Sequence, residues 1–287
     1  MQVEHHGWHS DRLGRGLGIR VYGHYGAPIL VFPTSGGDEW ESENMGMVDA
    51  IAHHIDAGRV KLFCVGSVNG EGWLNEGAHP RHRSWVQSNY DAYVAEEVVP
   101  FIHGHCQSPG IAITTTGASF GAYHAANSLL KHPHLFRRCL ALSGVYDLRR
   151  FMDGDYDDNF YFNNPVDYVA NLSDPWALEE LARDDIRLVT GTGPWEDRGP
   201  TYQLSEVLSG RGIHHSVDDW GPDGGHDWPF WKRQRDGYIS RFYCGRDRPW
   251  GRGPRSPVGG GRSPKLAAPG GPGRRTRGWM TSRPPRR

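Results

Sequence analysis

Short, continuous apolar runs separated by helix-length stretches dominate the first 244 residues of the chain. Ile29-Leu-Val-Phe, Val60-Lys-Leu-Phe-Cys-Val, Ile111-Ala-Ile-Thr-Thr-Thr and Cys139-Leu-Ala-Leu each read as a strand buried on both faces, the pattern of a parallel sheet between helical layers. Val3 to His9 and Leu17 to Tyr22, flanking Gly14-Arg-Gly, predict an antiparallel pair at one edge. Met45, Val48, Ile51, Ala52 and Ile55 recur at helical spacing and are followed by Gly58, so a single helix is expected from Asn44 to Ala57. Trp85 to His105 predicts a long helix that must accommodate Pro100 or kink there. A further strand is expected at Asp185 to Thr190, a helix at Thr201 to Leu208, an edge-like strand at Ile213 to Trp220, and a last helix ending near Tyr243. Strand and helix alternate, which predicts an α/β fold: a mostly parallel central sheet of about eight strands with helices on both faces.

Two stretches depart from this rhythm. Asp147 to Asp174 mixes aromatics and asparagines with Asp153, Asp155, Asp157 and Asp158. A calcium loop would need glycine at its sixth position and glutamate at its twelfth, where Asp158 and Asn164 stand, so a lid-like insertion around 147–174 is the preferred reading. Beyond Cys244 the chain turns to Arg, Gly and Pro with no apolar periodicity, and residues 245–287 are expected to be a disordered tail on a folded domain spanning 1–244.

Charge sharpens that division. The chain total is −1, yet the tail holds twelve Lys and Arg against Asp247 alone, so it carries +11 and residues 1–244 carry −12. An acidic body argues against nucleic acid as its partner and suits a neutral or cationic small molecule. The four cysteines lack C-x-x-C spacing, and Cys64 and Cys139 sit in apolar runs, so free thiols in a reducing compartment are expected. Neither a signal segment nor a bilayer-length apolar run is evident, which makes the cytoplasm the expected location and a membrane an unexpected partner. Self-association into a homo-oligomer is left open.

The chemistry centres on Gly117-Ala-Ser-Phe-Gly, where a β-branched strand gives way to a small-residue helix. A G-x-S-x-G turn in that context holds its serine in a strained, exposed position, and the glycines let strand and helix backbones approach. Ser119 is thus a candidate nucleophile that requires a base, an orienting acid and donors for the oxyanion. In chain order such enzymes place the acid and then the histidine after the serine, each on a loop at the carboxyl end of a strand. Here that order gives Ser119, then Glu196 or Asp197, then His226 in Gly224-Gly-His-Asp. No cofactor or metal is expected: His5, His6 and His9 lack the spacing of a ligand pair on one helix.

Phe32-Pro-Thr-Ser-Gly-Gly, Gly117-Ala-Ser-Phe-Gly-Ala-Tyr-His-Ala-Ala-Asn, Leu142-Ser-Gly-Val-Tyr-Asp, Gly191-Thr-Gly-Pro-Trp-Glu and Gly225-His-Asp-Trp-Pro-Phe-Trp together resemble the Putative esterase family of α/β-hydrolases over residues 15–243. That family includes S-formylglutathione hydrolases, feruloyl esterases and mycolyltransferases. The resemblance implies a serine esterase acting on a small-molecule ester or thioester through an acyl-enzyme. It implies Ser119 as nucleophile, His226 as base and Glu196 rather than Asp197 as the acid, with the N–H groups of Phe120 and Ser35 as oxyanion donors. Ala122 stands where relatives often carry glycine, and the tail has no counterpart in the pattern. Acyl transfer to an alcohol would use the same machinery, and a non-catalytic scaffold of this fold is the rival from outside enzymology.

Overall fold

The computed structural model describes residues 1–244; the tail expected to be disordered lies outside the described residues. Eight strands form one sheet: β1 (Val3–Ser10), β2 (Arg15–Tyr22), β3 (Ala27–Phe32), β4 (Val60–Val65), β5 (Ile113–Ala118), β6 (Phe136–Leu142), β7 (Asp185–Thr190) and β8 (Ser216–Asp219). Their spatial order is β1-β2-β4-β3-β5-β6-β7-β8. The β1–β2 and β2–β4 pairs are antiparallel, and every later pair is parallel. Every residue of β3, β4 and β5 is buried, as the continuous apolar runs require of strands covered on both faces. The polar exceptions in β5 are bonded: Thr115 donates to the Ala125 carbonyl at 2.9 Å and Thr116 to the Leu140 carbonyl at 2.8 Å.

One face of the sheet packs Phe63, Val65 and Phe136 against Tyr90, Tyr93, Ile102 and Leu129 of the helices above it. On the other face Ile29, Val31, Leu62 and Cys64 meet Ile51 and Ile55, together with Ile239 and Tyr243 of the last helix, Trp228–Cys244. Among the described residues no helix is long and apolar enough to cross a membrane. All four cysteines are free.

The helix expected from Asn44 to Ala57 is not continuous. It is replaced by Glu41–Asn44, a 3₁₀ turn at Asp49–Ile51 and Ala52–Asp56. The interruption falls at Gly46, whose φ of +68° reverses the chain, while Val48, Ile51 and Ile55 are all still buried. The long helix starts earlier than its apolar pattern, at Pro80, and runs through Pro80–Tyr93 and Val99–His105 with a π-turn at Val94–Val98 between them. Pro100 has no N–H to give the preceding turn, and the wide π-turn just before it accommodates that loss without ending the helix. The eighth strand is shorter than expected, and its flanks at Ile213 and Trp220 lie outside the ladder.

In the segment 147–174 the aspartates other than Asp158 are engaged by neighbouring side chains and backbone. Asp155 pairs with Arg81 and Asp153 with Arg83, and Asp157 accepts from the Phe160 N–H at 2.7 Å as the cap of a short helix. Leu148, Met152 and Phe160 of this segment pack with Trp73, Phe120 and Tyr123, so it is anchored onto the helix that follows Ser119.

Candidate active site

Ser119 lies between β5 and the helix Phe120–Lys131 with φ 56° and ψ −121°, in a region that a residue with a Cβ rarely adopts. The turn is tight because the backbones are in contact. A Cβ on Gly121 would lie 2.5 Å from the Phe32 carbonyl oxygen, and one on Gly117 would lie 2.3 Å from the Gly121 carbonyl. Only glycine at both positions lets the elbow close against β3, which is the physical content of the G-x-S-x-G pattern. The Ser119 N–H donates to the Leu142 carbonyl at 2.9 Å, tying the elbow to the end of β6.

His226 and Glu196 arrive on neighbouring loops at the same end of the sheet. Their loops are joined backbone to backbone: Thr192 N–H donates to the Gly221 carbonyl at 2.7 Å, Gly193 to Gly224 at 2.8 Å, and His226 to Pro194 at 2.9 Å. The imidazole Nε2 lies 3.1 Å from the Ser119 hydroxyl. Its other nitrogen, Nδ1, is 3.6 Å from Glu196 Oε2, beyond direct hydrogen-bond length but at ion-pair distance. Trp231 packs edge-on against the imidazole, 5.0 Å between ring centroids, and is itself fixed by an indole N–H bond of 3.0 Å to the Ser143 hydroxyl.

The two acid candidates separate cleanly. The Glu196 side chain is 1 % exposed, and Oε1 accepts from the Thr190 hydroxyl at 2.8 Å. Its Oε2 is buried without a hydrogen bond, so the imidazole is the group available to satisfy it. Asp197 is exposed and accepts from the Gly199 N–H at 2.9 Å, at the start of the helix Gly199–Gly210. Trp195, at φ 63°, makes the backbone reversal just before Glu196, and its indole is left in solvent.

The Phe120 and Ser35 N–H groups lie at the ends of adjacent strands, and neither bonds a described residue. The Phe120 N–H opens a twelve-residue helix, where the dipole favours negative charge. Ser35 belongs to a turn held from several directions. Glu41 accepts the Thr34 N–H at 2.7 Å and the Thr34 hydroxyl at 2.5 Å, and the Thr34 carbonyl accepts the Gly37 N–H at 3.2 Å. Asn69 donates to the Ser35 carbonyl at 2.6 Å. The Asn69 amide oxygen in turn lies 2.9 Å from His124 Nε2. Because the amide nitrogen is already committed to Ser35, that oxygen must accept, which assigns the Nε2–H tautomer to His124. Full burial pushes the His124 pKa down to about 3, the Asp91 carboxylate opposing only weakly, so the ring stays neutral and serves as a fixed donor. Burial likewise raises the Glu41 carboxyl, against the hydrogen bonds from Thr34. Neither Glu41 nor Asn69 stands out in the sequence.

A strained serine elbow at the carboxyl edge of a mostly parallel sheet is the architecture of the α/β-hydrolases. Solved structures of similar fold include a ferulic acid esterase (15 % identity, TM-score 0.63, covering 84 % of this chain and 98 % of that one). An S-formylglutathione hydrolase from Agrobacterium tumefaciens matches at 15 % identity and TM-score 0.62, over 83 % and 93 % of the two chains. A fluorophosphonate-binding serine hydrolase of Staphylococcus aureus matches at 18 % and 0.59, over 84 % and 97 %. The chain belongs to the Putative esterase family, whose profile matches residues 55–236, and is a carboxylic ester hydrolase. No curated protein matches it in sequence.

Proposed function

We propose that this chain hydrolyses the ester or thioester of a small molecule through an acyl-enzyme on Ser119. The observation that carries the reading is the 3.1 Å approach of His226 Nε2 to the Ser119 hydroxyl, with a buried, half-satisfied Glu196 carboxylate behind the ring. With Nδ1–H directed at Glu196, Nε2 accepts the serine proton as Oγ attacks the carbonyl carbon. The tetrahedral oxyanion is stabilised by the Phe120 and Ser35 N–H groups, and the imidazolium by Glu196. The imidazolium then protonates the leaving alcohol or thiol. In the second half His226 takes a proton from water, hydroxide attacks the acyl carbon, and Ser119 is regenerated. The four free thiols support a reducing, cytoplasmic setting.

A fluorophosphonate probe tests the reading, because it phosphonylates only an activated serine. One adduct per chain is expected, located by mass spectrometry on Ser119. An unlabelled chain, or an adduct on another residue, would remove it.

Asn69 is a positioning residue in this scheme, since its bond to the Ser35 carbonyl fixes the Ser35–Gly36 peptide, the unit next to the one that carries the Ser35 N–H. Asn69→Ala should lower kcat by more than about tenfold, with a smaller change in KM, because the Ser35 N–H would be misaimed chiefly toward the transition state. Should kcat stay within about twofold at unchanged fold, the strut has no catalytic consequence.

A further inference from the structure

At the opposite end of the sheet from Ser119, the amino-terminal ends of β3 and β4 border a cavity of about 980 Å³. Among the described residues its wall contains Arg59, Lys61, His24, His105, Gln107 and Ser108, and no Asp or Glu. This is a concentration of cationic and donor groups on a body that carries −12. Lys61 pairs with Pro28 near the start of the strands, whereas Ser119 follows β5, whose Thr114 pairs with Ile29. At the rise of a strand that separates the two sites by roughly 20 Å along the strands.

Lys61 is the residue that calls for a ligand. It is 6 % exposed, yet it makes no hydrogen bond or ion pair with any described residue. Alternation along β4 sends it to the same face as Phe63, whose ring meets His105 5.5 Å away. Its stem is packed in the wall while its ammonium keeps contact with the cavity, and a cation held there with no acid in the wall suits an incoming anion. Nearby acids have partners of their own: Glu4 lies 3.2 Å from His105 of the wall and 3.0 Å from His6, and Asp56 pairs with the chain amino group at 3.2 Å. Cys106, in the same wall, supplies no thiolate, since burial raises its pKa despite Lys61. The Arg59 guanidinium, whose bond is to neutral His54 Nδ1 at 3.1 Å, has no carboxylate partner among the described residues.

We propose that this cavity binds a small organic oxyanion, a phosphate or carboxylate, with Lys61 as its buried ligand and Arg59 as the cation at the rim. The site is independent of the catalytic assignment above. Unfolding temperatures of the full chain at constant ionic strength, with inorganic phosphate or citrate replacing chloride, test it. A saturable rise with phosphate marks a phosphate ligand and a rise with citrate alone a carboxylate; either supports the site. Lys61→Met should weaken anion binding by about tenfold or more, the loss of one charge-assisted hydrogen bond. Arg59→Gln, at an exposed position, should weaken binding by a smaller factor and decides the matter if Lys61→Met does not fold. Hydrolysis of nitrophenyl acetate should persist in both variants. No saturable response to either anion, or responses in the variants equal to the parent's, as a general salting effect would give, overturns the proposal.

Discussion

Replacing Ser119 with alanine should lower kcat toward a nitrophenyl ester by at least about ten-thousandfold and leave the protein folded. The hydroxyl contributes one hydrogen bond, to His226 at 3.1 Å, in a half-buried position. Its loss costs about 1 kcal/mol or less, so the melting temperature should move by no more than about 2–4 °C. The alanine variant would keep the strained backbone, because the Cβ it retains is the atom that disfavours φ 56°. Ser119→Gly would relieve that strain, worth about 1–2 kcal/mol, against about 0.5–1 kcal/mol of extra chain entropy in the unfolded state. It should therefore melt about 1–3 °C above Ser119→Ala while being equally inactive. Residual activity above about 1 % in Ser119→Ala would assign the nucleophile elsewhere. A glycine variant no more stable than the alanine one would mean that the elbow stores no strain.

What could be read from the sequence, and what could not, follows from where each constraint acts. Gly117 and Gly121 are legible because close backbone approach excludes every other residue at those positions, and the demand is local. His226 is legible because a loop after the last strand leaves few histidines to consider. The Asn69 strut is not, because it crosses 34 residues to the Ser35 carbonyl and 55 to His124, and an asparagine in a loop has no local signature of that use. The stretch 44–57 misleads for a different reason. Periodicity records which side chains are buried, and Val48, Ile51 and Ile55 are, but it is silent on whether the backbone hydrogen bonds run unbroken past Gly46. Glu196 and Asp197 cannot be separated by the residues alone because adjacent positions share every sequence-level property of the loop, and only their burial distinguishes them.

That difference in burial sets the second expectation. Glu196→Gln should lower kcat by about a thousandfold or more, and Asp197→Asn by less than about tenfold. In the glutamine variant the amide oxygen can still accept from the Thr190 hydroxyl, which turns the NH₂ toward His226 Nδ1. A donor facing Nδ1 favours the tautomer with its proton on Nε2, the nitrogen that must be free to accept from Ser119. It also withdraws the negative charge that stabilises the imidazolium in the transition state. The packing is unchanged in volume, so the loss should appear in kcat with the fold retained. Asp197→Asn keeps an oxygen for the Gly199 N–H at the start of the helix Gly199–Gly210, and the residue is exposed, so neither activity nor melting temperature should move far. Kinetics of the two variants on one ester decide between them. A large loss in Asp197→Asn beside a near-normal Glu196→Gln would transfer the orienting role to Asp197 and leave Glu196 as a buried carboxylate held only by Thr190.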